Sequence, residues 1–186
     1  MPNFFSDACV LRRTDETLPV IAVSAAYLAV PPTRARNMFK AMTKLRDLGV
    51  SRIINVCSES PALERHIEMY KMLGITHHHI PIEDDSEIPV PRDFFPQVLE
   101  AYRQHDPATG IILIHCFAGV NRSMLAAALL LWTTTPNAAD VWMQRGHSLI
   151  EFMDHEQTMQ RGGFGILTNP TFRNYLHVFC LESECK

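Results

Sequence analysis

Apolar residues along this chain fall in short continuous runs, separated by stretches in which they recur at helical spacing. That alternation predicts the elements. Leu18–Val23 and Ala26–Val30 read as short strands, with Pro31-Pro32 as punctuation. Arg34–Leu48 reads as a helix, because Phe39, Met42, Leu45 and Leu48 share a face and Gly49 suits a left-handed stop. Arg52–Val56 reads as a buried strand. Ser60-Pro61 offers a capping hydroxyl and a first-turn proline to a helix with Leu63, Ile67, Tyr70 and Leu73 inward, ended by Gly74. Ile75–Ile82 is strand-like and runs into the polar loop Glu83–Pro89. A helix starts near Asp93, which keeps Pro96 in its first turn, and Asp106–Gly110 is a turn. The bulky run Ile111–Ile114 then ends at His115, a short loop carries Gly119, and Ser123–Trp132 is apolar all round, as a buried helix would be. Thr135-Pro136 starts a helix to about His147, and Asn169-Pro170 starts the last one, with Phe172, Leu176 and Phe179 inward.

Strands alternating with helices predict an α/β fold. Its centre is a twisted, mostly parallel sheet with helices on both faces, and a phosphate-binding loop joins a central strand to the buried helix. No linker, internal repeat or low-complexity tract interrupts the 186 residues, so a single domain over 1–186 is expected.

Bulk composition narrows the function classes. The net charge of −3 and the absence of a Lys/Arg block argue against nucleic acid or anionic membrane as partner. Cys9, Cys57, Cys116, Cys180 and Cys185 are scattered and odd in number, unlike a disulfide framework. The start, MPNFFSDACVLRR, lacks a basic segment followed by an apolar one, so no secretory leader is expected. Met124–Trp132 is too short to span a bilayer. A reducing compartment, cytoplasm or nucleus, is the expected location.

The chemistry concentrates in Ile111–Ser123, IILIHCFAGVNRS. A loop that opens a helix points backbone N–H groups inward at the positive end of the helix dipole, which suits a phosphate. The same field favours a thiolate at Cys116. The N–H groups of Phe117, Ala118, Gly119, Val120 and Asn121, continuing to Arg122, form the expected phosphate cradle. The Arg122 guanidinium adds a permanently charged fork. Ser123 can donate to the sulfur and help it leave. A general acid should come from a loop at the carboxyl end of a neighbouring strand, which leaves Glu83, Asp84 and Asp85. His77-His78-His79 is not read as a metal site, because adjacent strand residues point to opposite faces; no metal or cofactor is expected.

His115-Cys116-Phe117-Ala118-Gly119-Val120-Asn121-Arg122-Ser123 resembles the His-Cys-x5-Arg-Ser/Thr signature of cysteine-dependent protein phosphatases, most closely the dual-specificity branch. LRDLGVSRIINVC, LGITHHHIPIEDDSE, FFPQVLEAYRQHDPATGIILIHC and TNPTFRNYL look like successive blocks of the same family. The resemblance implies hydrolysis of phosphotyrosine and phosphoserine/threonine in phosphoproteins through a cysteinyl-phosphate intermediate. It favours Asp84 as the acid, with Asp85 as runner-up. It assigns His115 to orienting the loop by bonding its carbonyls. Asn121, where close relatives more often have Ser, braces the loop. Related lipid phosphatases carry a cysteine at the place of Cys57, which implies a redox partner for Cys116 alongside the plainer reading of a small buried thiol. No aromatic recognition loop lies between Tyr27 and Arg34, which implies a shallow cleft. Glu151–Gly165 is longer than the usual connection. It is expected as a mobile border of the cleft, where Gln157 or Gln160 positions water. Competing readings are an RNA 5′-triphosphatase, since such relatives also carry Asn-Arg before a hydroxyl residue, and a phosphopeptide-binding scaffold.

Overall fold

The computed structural model describes residues 8–11, 20–31, 34–59, 62–144, 148–161 and 165–184. Strands β1 (Ala8–Leu11), β2 (Ile21–Ala25), β3 (Val50–Cys57), β4 (Thr76–Ile82) and β5 (Ile111–Cys116) form one sheet in the order β1-β2-β5-β3-β4. Four strands are parallel, and β1 joins β2 antiparallel at one edge. Parallel neighbours need crossovers, and helices supply them. The helices are α1 (Ala26–Ala29), α2 (Ala35–Asp47), α3 (Glu64–Met72), α4 (Phe94–Arg103), α5 (Arg122–Thr134), α6 (Ala138–Gln144), α7 (Leu149–Arg161) and α8 (Pro170–Glu184).

Strand residues alternate between two cores, as the pleat demands. Ile54, Ile112 and Ile114 pack with α4, α5, α7 and α8, whereas Ile53 and Leu113 pack with α1, α2 and α3. Both faces are covered, which is why β5 reads as an unbroken apolar run and why α5 is buried from Arg122 through Leu131. Gly49 and Gly74 end α2 and α3 at φ +70 and +69°, where a side chain would be strained. Arg52 is nearly buried in β3 and donates to the carbonyls of Ala101 (2.6 Å) and Gln104 (2.9 Å), satisfying the end of α4.

Several expectations need correction. Ala26–Val30 is not a strand. Ala26–Ala29 is helical, and the Tyr70 hydroxyl donates to Ala29 O at 2.6 Å while His66 Nε2–H donates to Pro31 O at 2.8 Å. Leu63 stands exposed at the start of α3, and His66, Met69 and Tyr70 form its inner face. Ser60-Pro61 lies outside the described residues. Thr135 closes α5, donating its hydroxyl to Leu131 O at 2.6 Å, so α6 begins later, at Ala138. Strand β1 is not legible in the sequence, because four apolar residues with no polar alternation give too little pattern.

The largest departure is Glu151–Gly165, most of which is helix α7 rather than a loose connection. It lies against β1. Gln160 accepts from Val10 N at 2.7 Å and donates to Val10 O at 2.9 Å. In an antiparallel edge strand alternate residues turn both backbone groups outward, and one primary amide matches that pair. Gln160 is thus engaged by the sheet edge and not by water at a cleft. Gln157 is buried on the same helix.

Candidate active site

The carboxyl ends of β5, β3 and β4 lie side by side, and the chemistry-bearing residues follow them directly. Cys116 ends β5 and is fully buried. The loop Phe117–Asn121 then turns back into α5, with Gly119 at φ +73° making the reversal without strain. That turn sends Gly119 N–H to Cys116 Sγ at 3.2 Å, and places Ser123 Oγ, the second residue of α5, 3.2 Å from the same sulfur. The loop is tied down on both sides. Phe117 O accepts from Ala26 N at 3.0 Å and Val120 O accepts from Leu167 N at 3.0 Å. Leu167 sits at φ +49°, unusual for a residue with a Cβ, and its own carbonyl accepts from Arg173 Nε at 2.6 Å. Phe117 is exposed at the rim.

The three acidic candidates after β4 have different partners. Glu83 accepts from Ser58 Oγ at 3.0 Å, and Asp85 accepts from Glu87 N at 2.8 Å within its own turn. Asp84 alone of the three contacts the loop. Asn121 Nδ2 donates to its carboxylate at 3.2 and 3.3 Å, and Asn169 Nδ2 donates at 3.1 Å. The other end of each amide is also used. Asn121 Oδ1 accepts from Thr168 N at 2.7 Å, and Asn169 Oδ1 accepts from Thr171 N at 2.9 Å as the cap of α8. Asn121 therefore braces the loop and Asp84 together. Asn169 is both cap and site residue, a dual use that capping alone concealed.

Arg122 is almost wholly buried. Its guanidinium meets Glu59 in a two-pronged ion pair, with Nη2 to Oε1 at 3.0 Å and Nη1 to Oε2. Nη1 also reaches Ile82 O at 3.3 Å and Ser58 Oγ at 3.4 Å. Burial works against its charge, but the Glu59 bond and the neighbouring Cys116 and Cys57 outweigh that and raise its pKa. The Arg122 hydrogen bonds hold Glu59 down to about 2, helped by Cys57 against the opposing effect of burial. Cys57 ends β3, beside β5, with its thiol donating to Glu59 Oε2 at 3.0 Å. Glu59 escaped the sequence reading. The available signal was position alone: an acid two residues past the end of a strand that adjoins the loop-bearing one.

His115 is buried, as expected of an orienting residue, yet among the described residues neither ring nitrogen has a partner at hydrogen-bond geometry, so the expected bonds to loop carbonyls are not seen; the Cys116 backbone only partly offsets its burial. Desolvation drives its pKa down to about 3. The histidines of β4 go to three separate partners. His77 stacks on Tyr70 at 5.1 Å between centroids, His78 Nε2 lies 2.9 Å from Arg52 Nη1, and His79 Nε2–H donates to Cys57 O at 3.1 Å. Arg34 and Arg36 are exposed at the start of α2.

Comparison with known proteins settles the family. Residues 35–148 match the model of the dual specificity phosphatase catalytic domain. The chain belongs to this family. The mouse protein named Cyclin-dependent kinase inhibitor 3 is 28% identical over 101 residues, 52% of this chain and 47% of that protein, so the match spans about half the relative's length. Among solved structures, kinase associated phosphatase with its catalytic-site cysteine replaced by serine superposes with a TM-score of 0.64 at 20% identity, covering 97% of both chains. A variant of human DUSP28 gives 0.60 at 18% identity, covering 95% of this chain and 97% of that one. These two similarities establish the dual-specificity phosphatase fold. No helix among the described residues is long and apolar enough to cross a membrane.

Proposed function

We propose that this chain is a protein phosphatase that hydrolyses phosphate monoesters of tyrosine and of serine or threonine, with phosphoproteins as substrates. The observation that carries the reading is the convergence on one loop of a buried cysteine with Gly119 N–H and Ser123 Oγ at its sulfur, a buried arginine, and an aspartate clamped by two amides. Cys116 attacks phosphorus as the thiolate, and the S–P bond forms as the P–O bond to the leaving group breaks. Asp84 gives its proton to the departing oxygen. The loop N–H groups from Phe117 to Arg122 and the Arg122 guanidinium take the charge on the phosphoryl oxygens. Asp84 then accepts a proton from water, the new P–O bond forms, and the S–P bond breaks. Ser123 Oγ donates to the sulfur as it leaves with the electron pair. Glu59, Glu83, Asp84, Asp85 and Glu87 follow the ends of β3 and β4 close to this site. So acidic a rim disfavours a polyanion such as an RNA 5′-triphosphate.

The test is turnover of an aryl phosphate by the wild type and Cys116→Ser, followed by a panel of phosphopeptides and 5′-triphosphorylated RNA. The expected loss in Cys116→Ser is on the order of 10³-fold or more, at an unchanged melting temperature. Turnover retained by the serine variant would remove the nucleophile assignment, and faster turnover of the RNA than of every phosphopeptide would replace the substrate class.

A further inference from the structure

A guanidinium carries five N–H groups in a rigid plane, and the two edges of that plane can do different work. In Arg122 the end-on edge is crowded. Nη1 and Nη2 are taken by Glu59, and Nη1 also faces Ile82 O and Ser58 Oγ, all from the ends of β3 and β4. The side-on edge differs. Nε–H is buried with no hydrogen-bond partner among the described residues, and the nearest carboxylate oxygen, from Asp84, is 3.8 Å away. Asp84 is the residue that Asn121 holds against the loop, so this open edge lies on the side where phosphate would bind. A buried donor with no acceptor costs stability, and its persistence at a site marks a place for a ligand acceptor.

We propose that Glu59 is a positioning residue: it pins the Arg122 guanidinium end-on, so that Nε–H and the remaining Nη2 hydrogen present a side-on fork to two oxygens of the substrate phosphate. The proposal rests on the phosphatase reading above. An ionised carboxylate is suited to the task, because a two-pronged charge-assisted pair fixes the plane of the guanidinium as well as its place. A single hydroxyl or carbonyl fixes neither. Glu59 is itself held from the strand end by the Cys57 thiol, so the chain of support runs from β3 through Cys57 and Glu59 to Arg122. A carboxylate that merely blocked the phosphate would sit on the open edge, and Glu59 sits on the other.

The two roles predict opposite signs. Tungstate, a tetrahedral dianion, is titrated calorimetrically into the wild type, Glu59→Ala and Glu59→Gln, with melting temperatures and p-nitrophenyl phosphate kinetics taken on the same samples. Positioning predicts tungstate binding about tenfold weaker in Glu59→Ala, with KM raised in step. Glu59→Gln, which keeps one acceptor, should fall between, and it carries the test if the alanine variant folds poorly. Unchanged affinity in folded variants overturns the proposal, whatever happens to the melting temperature. Tighter binding overturns it in favour of a blocking role. A wild type that binds no tungstate removes the phosphatase reading and the positioning role with it, whereas loss confined to the variants leaves the former standing.

Discussion

The carboxyl ends of β3, β4 and β5 and the β1–α7 flank are both rich in polar groups, but they treat them oppositely. At the strand ends matching is deliberately incomplete. Arg122 Nε–H has no hydrogen-bond partner among the described residues, Cys116 is buried under a loop that turns the Gly119 N–H toward it, and Asp84 is held by two amides without being locked into an ion pair at hydrogen-bond distance. At the flank the outward N–H and C=O of Val10 both meet Gln160, whose amide also donates to Glu156 at 2.8 Å. Unmatched donors beside a buried cysteine are available to a ligand. Matched ones at a sheet edge prevent pairing with another chain. Reactivity and closure are thus separated across the same sheet, and substitutions on the two sides should separate in what they change.

The sharpest break comes at Asp84. Asp84→Ala should reduce kcat/KM for a phosphopeptide, whose leaving oxygen is basic, by about 10²–10⁴-fold. It should slow p-nitrophenyl phosphate much less, because that leaving group departs with little help. The protein should remain folded, since the carboxylate is partly exposed and its partners are amides that water can satisfy. Equal slowing of both substrates would move the acid role to another residue.

How much of this was legible differs between the same two regions. The loop from Cys116 to Ser123 was readable because its residue types and spacing follow the family's signature, and the strand–loop–helix order around it follows from apolar runs too long to mistake. β3 and β5 were readable for the same reason, whereas β4, with three histidines in its seven residues, was readable from its place between the Gly74 helix stop and the polar loop that follows it. The flank was not. Gln160 and Val10 are 150 positions apart, and nothing local in either announces the other. Three glycines near the end of α7 suggested mobility more strongly than its own periodicity suggested a helix. Within the site, the missed parts are those that act through a second residue. Glu59 works on Arg122, and Asn169 works on Asp84 while also capping α8. A sequence shows the cap and hides the reach.

Two histidines under the site give the comparison a pH axis. Burial pushes His77 down to about 4 and His115 to about 3, from an ordinary 6.5. In the unfolded chain both bind protons near 6.5, so below that pH the unfolded state takes up protons that the folded state refuses. Stability is therefore full above about 6.5 and declines as pH falls toward those depressed values. The slope is up to about 1.4 kcal/mol per pH unit for each ring. Glu59, lowered from 4.5 to about 2, adds its own loss only in that more acidic window. Urea melts at pH 7.5 and 5.5 measure the first decline. His77→Phe keeps a ring against Tyr70, and His77 Nε2 is buried with no hydrogen-bond partner among the described residues. That variant should flatten the pH dependence, and an unchanged slope would assign the decline to other groups.

The smallest effect expected is at the flank, and it sharpens the comparison because it should be silent in catalysis. Gln160→Ala leaves the outward N–H and C=O of Val10 to water or to another strand. The lost bonds are at the surface, where each is worth about 0.5–1.5 kcal/mol net, so a loss of about 1–2 kcal/mol in urea unfolding is expected. Because α7 shields β1, the variant should also self-associate more readily on warming than the wild type, through the edge it uncovers. Its kcat and KM for an aryl phosphate should match the wild type, since no described contact of Gln160 reaches Cys116, Arg122 or Asp84. If turnover fell while stability held, the helix would belong to the site after all, and the separation of closure from chemistry across this sheet would fail.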